Sequence, residues 1–274
     1  MALRVRPDML LGIMDSLLSN KPLIGMLHLH PLAGSVNYAR TGPKPIIDAA
    51  LRDLYALESG GVDAVFIENL GDVPYAKTAP VETIAMMTTI VHTLIERAHI
   101  PIGVNVLRND GLAALAIAAA TGARFVRVNV FCGSAFTDQG LIEGQARELH
   151  RLRRDLGTQT LILADVHVKH AAHLTSLEEA ALDADRNLPD ALIVSGIGTG
   201  RRTSPEDLQT VKQVSCLPVF IGSGVRIDNM ATYREADGFI VGTVLKEGGR
   251  VDAPVDVKRV KAMADAVASL RRSE

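Results

Sequence analysis

The sequence predicts a (β/α)8 barrel of the TIM type, and three observations predict it. Eight short apolar runs, many rich in Val and Ile, alternate along the chain with eight segments of helical period. The connections that follow the apolar runs are longer than those that precede them, so one rim is elaborated and the other trimmed. No Pro/Gly/Ser linker or charge block interrupts the series, which assigns residues 1–274 to one domain with residues 1–21 as an N-terminal extension. A doubly wound open sheet is the main rival.

Each element has its own signal. Residues 8–19 read as a helix covering one end of the fold, because the apolar run from Met9 to Met14 is too short to span a bilayer and no small-residue cleavage pattern follows it. Strands are expected at 23–29, 63–68, 102–106, 125–130, 161–168, 191–196, 218–224 and 237–243. Helices are expected at 46–59, 81–97, 110–121, 141–156, 177–186, 206–214, 229–235 and 257–271. Gly60-Gly61, Thr121-Gly122 and Asn187-Leu188-Pro189 stop a helix directly before a new strand, and Ser204-Pro205-Glu206 opens one with a cap and a proline. The Ala-rich run at 112–120 is too short to cross a membrane and reads as a packed helix. Long connections at 30–44, 69–80, 131–140 and 197–204 all leave the carboxyl ends of strands, where barrels bind ligands.

Composition narrows the partners. The chain is 47% hydrophobic and 22% charged with a formal net charge of -2, which offers no basic field for nucleic acid and no cationic face for a lipid surface. Cys132 and Cys216 form no framework and no zinc or redox spacing, which fits a reducing cytoplasm. Homo-oligomerisation is left open, since nothing identifies a contact face.

The run TLILADVHVKH, residues 160–170, is the most informative stretch. Strand alternation puts Asp165, His167 and Lys169 on one face and Ile162, Ala164, Val166 and Val168 on the other. The apolar face must be covered, so the polar one looks into a cavity, where an acid, a base and an amine are costly unless paired or used. The same rule for the other strands gathers His28, Glu68, Asn105, Arg127, Asn129 and Ser195 at the mouth. Structural roles compete with functional ones there. Arg127 suits an ion pair with Glu68 or Asp165; His28 and Asn105 suit satisfied core polar groups; Lys169 is a rim cation or a Schiff-base amine; Cys132 reads as a small buried residue. Asp165 and His167 are the expected general acid and base, with Glu68 as partner and Asn105 and Asn129 orienting hydroxyls.

Two glycine turns close the series. Gly222-Ser223-Gly224-Val225 follows strand seven and Gly242-Thr243 ends strand eight. In barrels these loops commonly hold a phosphate through backbone N–H groups, with Ser223 and Thr243 as extra donors. The glycine-rich stretch after strand six lacks the Lys-Ser/Thr ending of a phosphate-binding loop and reads as a flap carrying Arg201 and Arg202. No cofactor is predicted. A divalent cation on Glu68, Asp165 and His167 is a side branch.

The strings ENLGDVPY, NVLRND, RVNVF, TDQG and ADVHVKH, with GMLHLHPLAGS before them and GSGV and ADGFIVGTVLK after them, resemble the BtpA/SgcQ family over residues 22–261. HLHPLAGS carries Ala where the family commonly has Pro. The resemblance implies a TIM-type barrel and marks Glu68, Asn69, Asp72, Asn105, Arg108, Asn129, Asp138, Asp165, His167, Lys169 and His170 as motif positions without assigned roles. It also implies two functions: a cyanobacterial branch is associated with photosystem I biogenesis or stability, and a bacterial branch lies among sugar-phosphate genes with nucleosidase labels. The expectation is an enzyme doing acid–base work on a small phosphorylated metabolite, of isomerase, lyase or nucleosidase type. The alternative is a non-catalytic photosystem I factor.

Overall fold

The computed structural model of the chain describes residues 17–196 and 203–272. Eight parallel strands close into a barrel: β1 (Leu23–His28), β2 (Ala64–Glu68), β3 (Ile102–Asn105), β4 (Phe125–Val128), β7 (Leu161–Val166), β9 (Ala191–Val194), β10 (Val219–Ile221) and β11 (Gly238–Val241). They follow one another around the barrel in chain order, and β11 returns to pair with β1. The open sheet is thereby excluded. Helices α1 (Lys44–Gly60), α2 (Val81–Ile95), α3 (Gly111–Thr121), α4 (Ala146–Asp155), α5 (Leu177–Arg186), α6 (Pro205–Val214) and α7 (Val257–Arg272) alternate with the strands.

Local chemistry sets the helix ends. Gly61, at φ +92, ends α1 in the left-handed conformation that favours glycine. Asp110 caps α3 by accepting the N–H of Ala113 at 3.0 Å, and its second oxygen takes the N–H of Ala79 at 2.9 Å, so the cap also fastens the β2–α2 loop. Ser176 and Glu179 form a reciprocal capping box at the start of α5.

The barrel interior is a separate core. Phe66 and Phe125 meet edge to face at 4.6 Å, and Gly103 stands between their strands because a Cβ there would lie 2.2 Å from the Phe125 ring. Leu17 joins this interior cluster. Of the expected N-terminal helix, residues 17 and 18 are helical and the rest lies outside the described residues. Register carries the pattern upward: His28 pairs with Glu68, Glu68 with Asn105 and Asn105 with Arg127. Partners in a parallel ladder point to the same face, so a polar layer sits on the apolar plug. Among the described residues no helix is long and apolar enough to cross a membrane.

Two expected elements are corrected. The connection at 131–140 and the start of the helix expected at 141–156 form a hairpin, β5 (Ser134–Thr137) with β6 (Gly140–Glu143), joined by β8 (Ala171–His173) into a small antiparallel sheet. The helix waits until Ala146 because the chain is pinned at Gly144, where a Cβ would meet the Cys132 backbone at 2.3 Å. The helix expected at 229–235 is one 3-10 turn, Met230–Tyr233. The flap with Arg201 and Arg202 lies outside the described residues.

Candidate active site at the barrel mouth

Asp165 lies inside the barrel as alternation requires, but its carboxylate is fully engaged. Arg127 donates Nε to Oδ2 and Nη2 to Oδ1, each at 2.8 Å, with both side chains buried. Asn129 Nδ2 donates to Oδ2 at 2.9 Å and Ser195 Oγ to Oδ1 at 3.1 Å. A carboxylate has about four lone-pair sites, and these donors occupy them. Burial would lower the Arg127 pKa, but the charge and hydrogen bonds of Asp165, with Glu68 behind, more than offset it. The geometry thus makes Asp165 the anchor of Arg127, a correction to its expected acid–base role. Ser195 belongs to the same anchor.

His167 is corrected more sharply. The strand ends at Val166, and His167 takes a left-handed backbone, φ +53, which breaks the alternation that placed it beside Asp165. Its ring stacks on His173 with centroids 4.2 Å apart and planes within 14°, off the wall of the mouth cavity. Burial, then the His173 charge, pull it down to about 4. Without His167 the expected metal trio does not assemble, and among the described residues no group of three His, Cys, Asp or Glu is set to hold an ion.

Lys169 re-enters the wall. It lines a cavity of about 720 Å³ together with His28, Glu68, Arg108, Arg127 and Asn129. The Lys169 backbone carbonyl accepts Arg108 Nη2 at 2.7 Å, which holds the segment to the β3–α3 loop. Burial, then the neighbouring Arg127 charge, lower the Lys169 pKa against the pull of Glu68 and Asp165. Glu68 moves the other way: burial raises it despite Arg127 and Lys169. His28 Nε2 stands 3.8 Å from Glu68 Oε1, and burial followed by the Lys246 charge depresses His28 to about 3. A carboxyl held towards its neutral form therefore faces an amine and an imidazole eased towards theirs, which is how a site keeps acid and base available together.

Asn105 and Asn129 are tied to the scaffold. Asn105 Nδ2 donates to the Arg127 carbonyl and to Asn129 Oδ1, both at 3.1 Å, and Asn105 is absent from the cavity lining. Gly222, Ser223, Gly224, Gly242 and Thr243 line the same cavity as Glu68 and Lys169. At Gly222 a Cβ would come within 2.4 Å of Ile193 and 2.8 Å of Ser195 Oγ, and at Gly242 within 3.2 Å of Met26, so no side chain fits there, and the Gly222 N–H itself is donated to the Val194 carbonyl at 2.8 Å. Ser223 Oγ accepts the Gly196 N–H at 2.8 Å, so this oxygen is partly engaged in joining two loops.

Arg108, Tyr75 and Asp138 line the cavity and were not singled out by alternation, which stops at the strand end. The motif strings marked Arg108 and Asp138 as positions without roles. Two other motif residues fasten loops, Asn69 Oδ1 accepting the Leu107 N–H at 2.7 Å and Asp72 Oδ1 the Leu32 N–H at 2.8 Å, and Asn109, a residue the strings did not mark, does the same through Oδ1 and the Val130 N–H at 2.7 Å.

The BtpA family model matches residues 19–269. The chain belongs to the BtpA family. A relative in Thermococcus kodakarensis is 48% identical over 255 residues, covering 92% of this chain and 97% of that one. The photosystem I biogenesis protein BtpA of Synechocystis is 42% identical over 264 residues, with 93% and 91% covered. Among solved structures, thiamine phosphate pyrophosphorylase from Pyrococcus furiosus has the same barrel at a TM-score of 0.59 and 17% identity, covering 93% of this chain and 98% of that one. That likeness speaks for the fold of this BtpA-family chain.

Proposed function

We propose that this BtpA-family barrel is an enzyme that moves protons on a small phosphorylated metabolite. One observation carries the reading: Glu68, biased towards its neutral form, and Lys169, biased towards the free amine, share one cavity with the glycine turns at 222–224 and 242–243. The phosphate takes the glycine turns, with Arg108 and Arg127 on the adjoining wall. Glu68 delivers a proton and Lys169 accepts one, and Asp165 acts by fixing Arg127. Isomerisation, C–C or C–N lysis and N-glycoside cleavage all need such a pair. A phosphorylated compound also stands in the name of the Pyrococcus furiosus barrel.

Thermal unfolding in millimolar inorganic phosphate or ribose 5-phosphate tests the anion site. A ligand at about 100 times its Kd adds about 2.7 kcal/mol, a clear rise in Tm. No rise with either compound overturns the assignment. In a panel of sugar phosphates followed by NMR, Glu68→Gln and Lys169→Met each cut turnover by about 10²-fold or more with the fold retained.

The name of the Synechocystis relative favours a second reading, a non-catalytic factor for photosystem I biogenesis or stability. Complementation of a btpA deletion decides between them. A Glu68→Gln/Lys169→Met double variant that rescues as well as the unaltered chain supports the scaffold role.

A further inference from the structure

The mouth has a second chamber that the proton-transfer reading does not use. A cavity of about 600 Å³ lies beside the first, and His28, Leu70, Val73 and Tyr75 line both. Its remaining wall is largely apolar, drawn from Leu29 and Pro31 after β1, Ile46 and Ala50 on α1, and Ala253 and Pro254 before α7. Polar and charged side chains stand among them, but a phosphate or a bare sugar would leave the apolar surface that makes up most of this wall unfilled.

His30, Arg52 and Asp252 stand at its exposed rim and Asp53 is half-buried, while Lys246 and His28 are the polar groups set deepest in this wall. Lys246 is 3% exposed, and its Nζ donates to the Ala253 carbonyl at 3.1 Å and stands 3.9 Å from Asp53 Oδ2. An ammonium has three N–H donors, so this one retains capacity beyond that single close bond. The Val251 backbone acts on the imidazole, but His28 Nδ1 is buried with no partner within hydrogen-bond distance, while the other ring nitrogen faces Glu68 in the first cavity. The His28 side chain is 10% exposed. A buried, unpaired ring nitrogen is costly in a closed fold and is satisfied by a ligand that brings the complementary atom. An aliphatic group would fill the apolar wall and leave both polar groups unanswered. A planar heteroaromatic ring answers both demands: its faces lie on Leu, Ile, Val and Pro, and its edge atoms meet His28 and Lys246.

We propose that the ligand of this site is a phosphorylated sugar bearing a planar heteroaromatic group, with the ring seated in the second chamber against His28 and Lys246. The inference rests on the reading that a phosphate occupies the glycine turns. It places the junction between ring and sugar beside His28, where the two chambers meet and Glu68 faces the imidazole.

Isothermal titration of the full chain with inorganic phosphate, ribose 5-phosphate, AMP, UMP and nicotinamide mononucleotide tests it. At least one ring-bearing compound is expected to bind tenfold or more tighter than ribose 5-phosphate. Ala49 lines the chamber from the half-buried edge of α1, and Ala49→Phe fills the space. This variant is expected to remove the gain from the ring and leave ribose 5-phosphate within twofold. Should it fold poorly, Val251→Trp fills the chamber from the loop before α7, at a position 37% exposed. Equal binding of ribose 5-phosphate and all three nucleotides, or equal weakening of every ligand by the filling variant, overturns the ring site and leaves the phosphate reading intact. If neither phosphate nor ribose 5-phosphate binds, the phosphate reading falls and this inference falls with it.

Discussion

Asp165 shows why a buried acid must be judged by its partners. Its four donors give it a structural duty that sequence spacing cannot distinguish from catalysis, because both require a carboxylate on the inner face of a strand. The two roles predict different energetics. Asp165→Asn leaves the Arg127 guanidinium, 2% exposed, without its counter-charge, and breaking a buried pair from one side costs about 3–5 kcal/mol. Replacing both partners, Asp165→Asn with Arg127→Met, removes the unpaired charge and recovers most of that loss. Urea denaturation of the two variants checks it. A single variant as stable as the unaltered chain, yet inactive, would return Asp165 to the chemistry. Glu68 and Lys169 differ because each faces open cavity, so their substitution is expected to act on turnover far more than on stability.

At the scale of elements, the barrel strands were legible because each is a short apolar run, many of them rich in Val and Ile, and the inward layer of His28, Glu68 and Arg127 followed from alternation alone. The small sheet was not legible. β5 and β6 are four residues each and half exposed, and their third strand, β8, arrives from about thirty residues downstream. His167 was misplaced for the same reason, since the partner that turns it off the wall, His173, sits on β8. Thr137 helps shape the hairpin turn by donating to the Gly140 carbonyl at 2.9 Å. Beneath the sheet, Val130, Ala135, Ile142 and Val168 form a cluster of their own, separate from both barrel cores. Loosening this cluster therefore opens the sheet and not the barrel. Ile142→Ala, a change that costs about 2–5 kcal/mol in a core, is expected to raise hydrogen exchange of 134–143 and 171–173 by at least about tenfold. The Tm of the barrel moves by only a few degrees. Equal loss of protection in the barrel strands would show the two units to be one cooperative core.

For the whole molecule the question is where an anion finds its attraction. The formal net charge of -2 gives the surface no long-range pull on a phosphate. The cavity is lined by Arg108, Arg127, Lys169, Arg226 and Arg259, of which Arg127 is balanced by Asp165, Arg226 and Arg259 are exposed and paired with Asp228 and Asp256, and Lys169 is shifted towards its neutral form. Arg108, 6% exposed and held by a hydrogen bond to the Lys169 carbonyl, is thus the buried cation that bears most of the remaining charge at the mouth. A local field of this kind makes a definite pattern in phosphate titrations. Arg108→Met removes one charge and is expected to weaken binding about tenfold, or 1.4 kcal/mol. Arg97→Glu changes the total by two on the opposite, amino-terminal face of the barrel, where about 10 Å of screening at 0.1 M salt isolates it, and is expected to change Kd less than twofold. If the distant change weakened phosphate binding as much as Arg108→Met, the attraction would belong to the whole surface and the mouth would lose its claim as a built anion site.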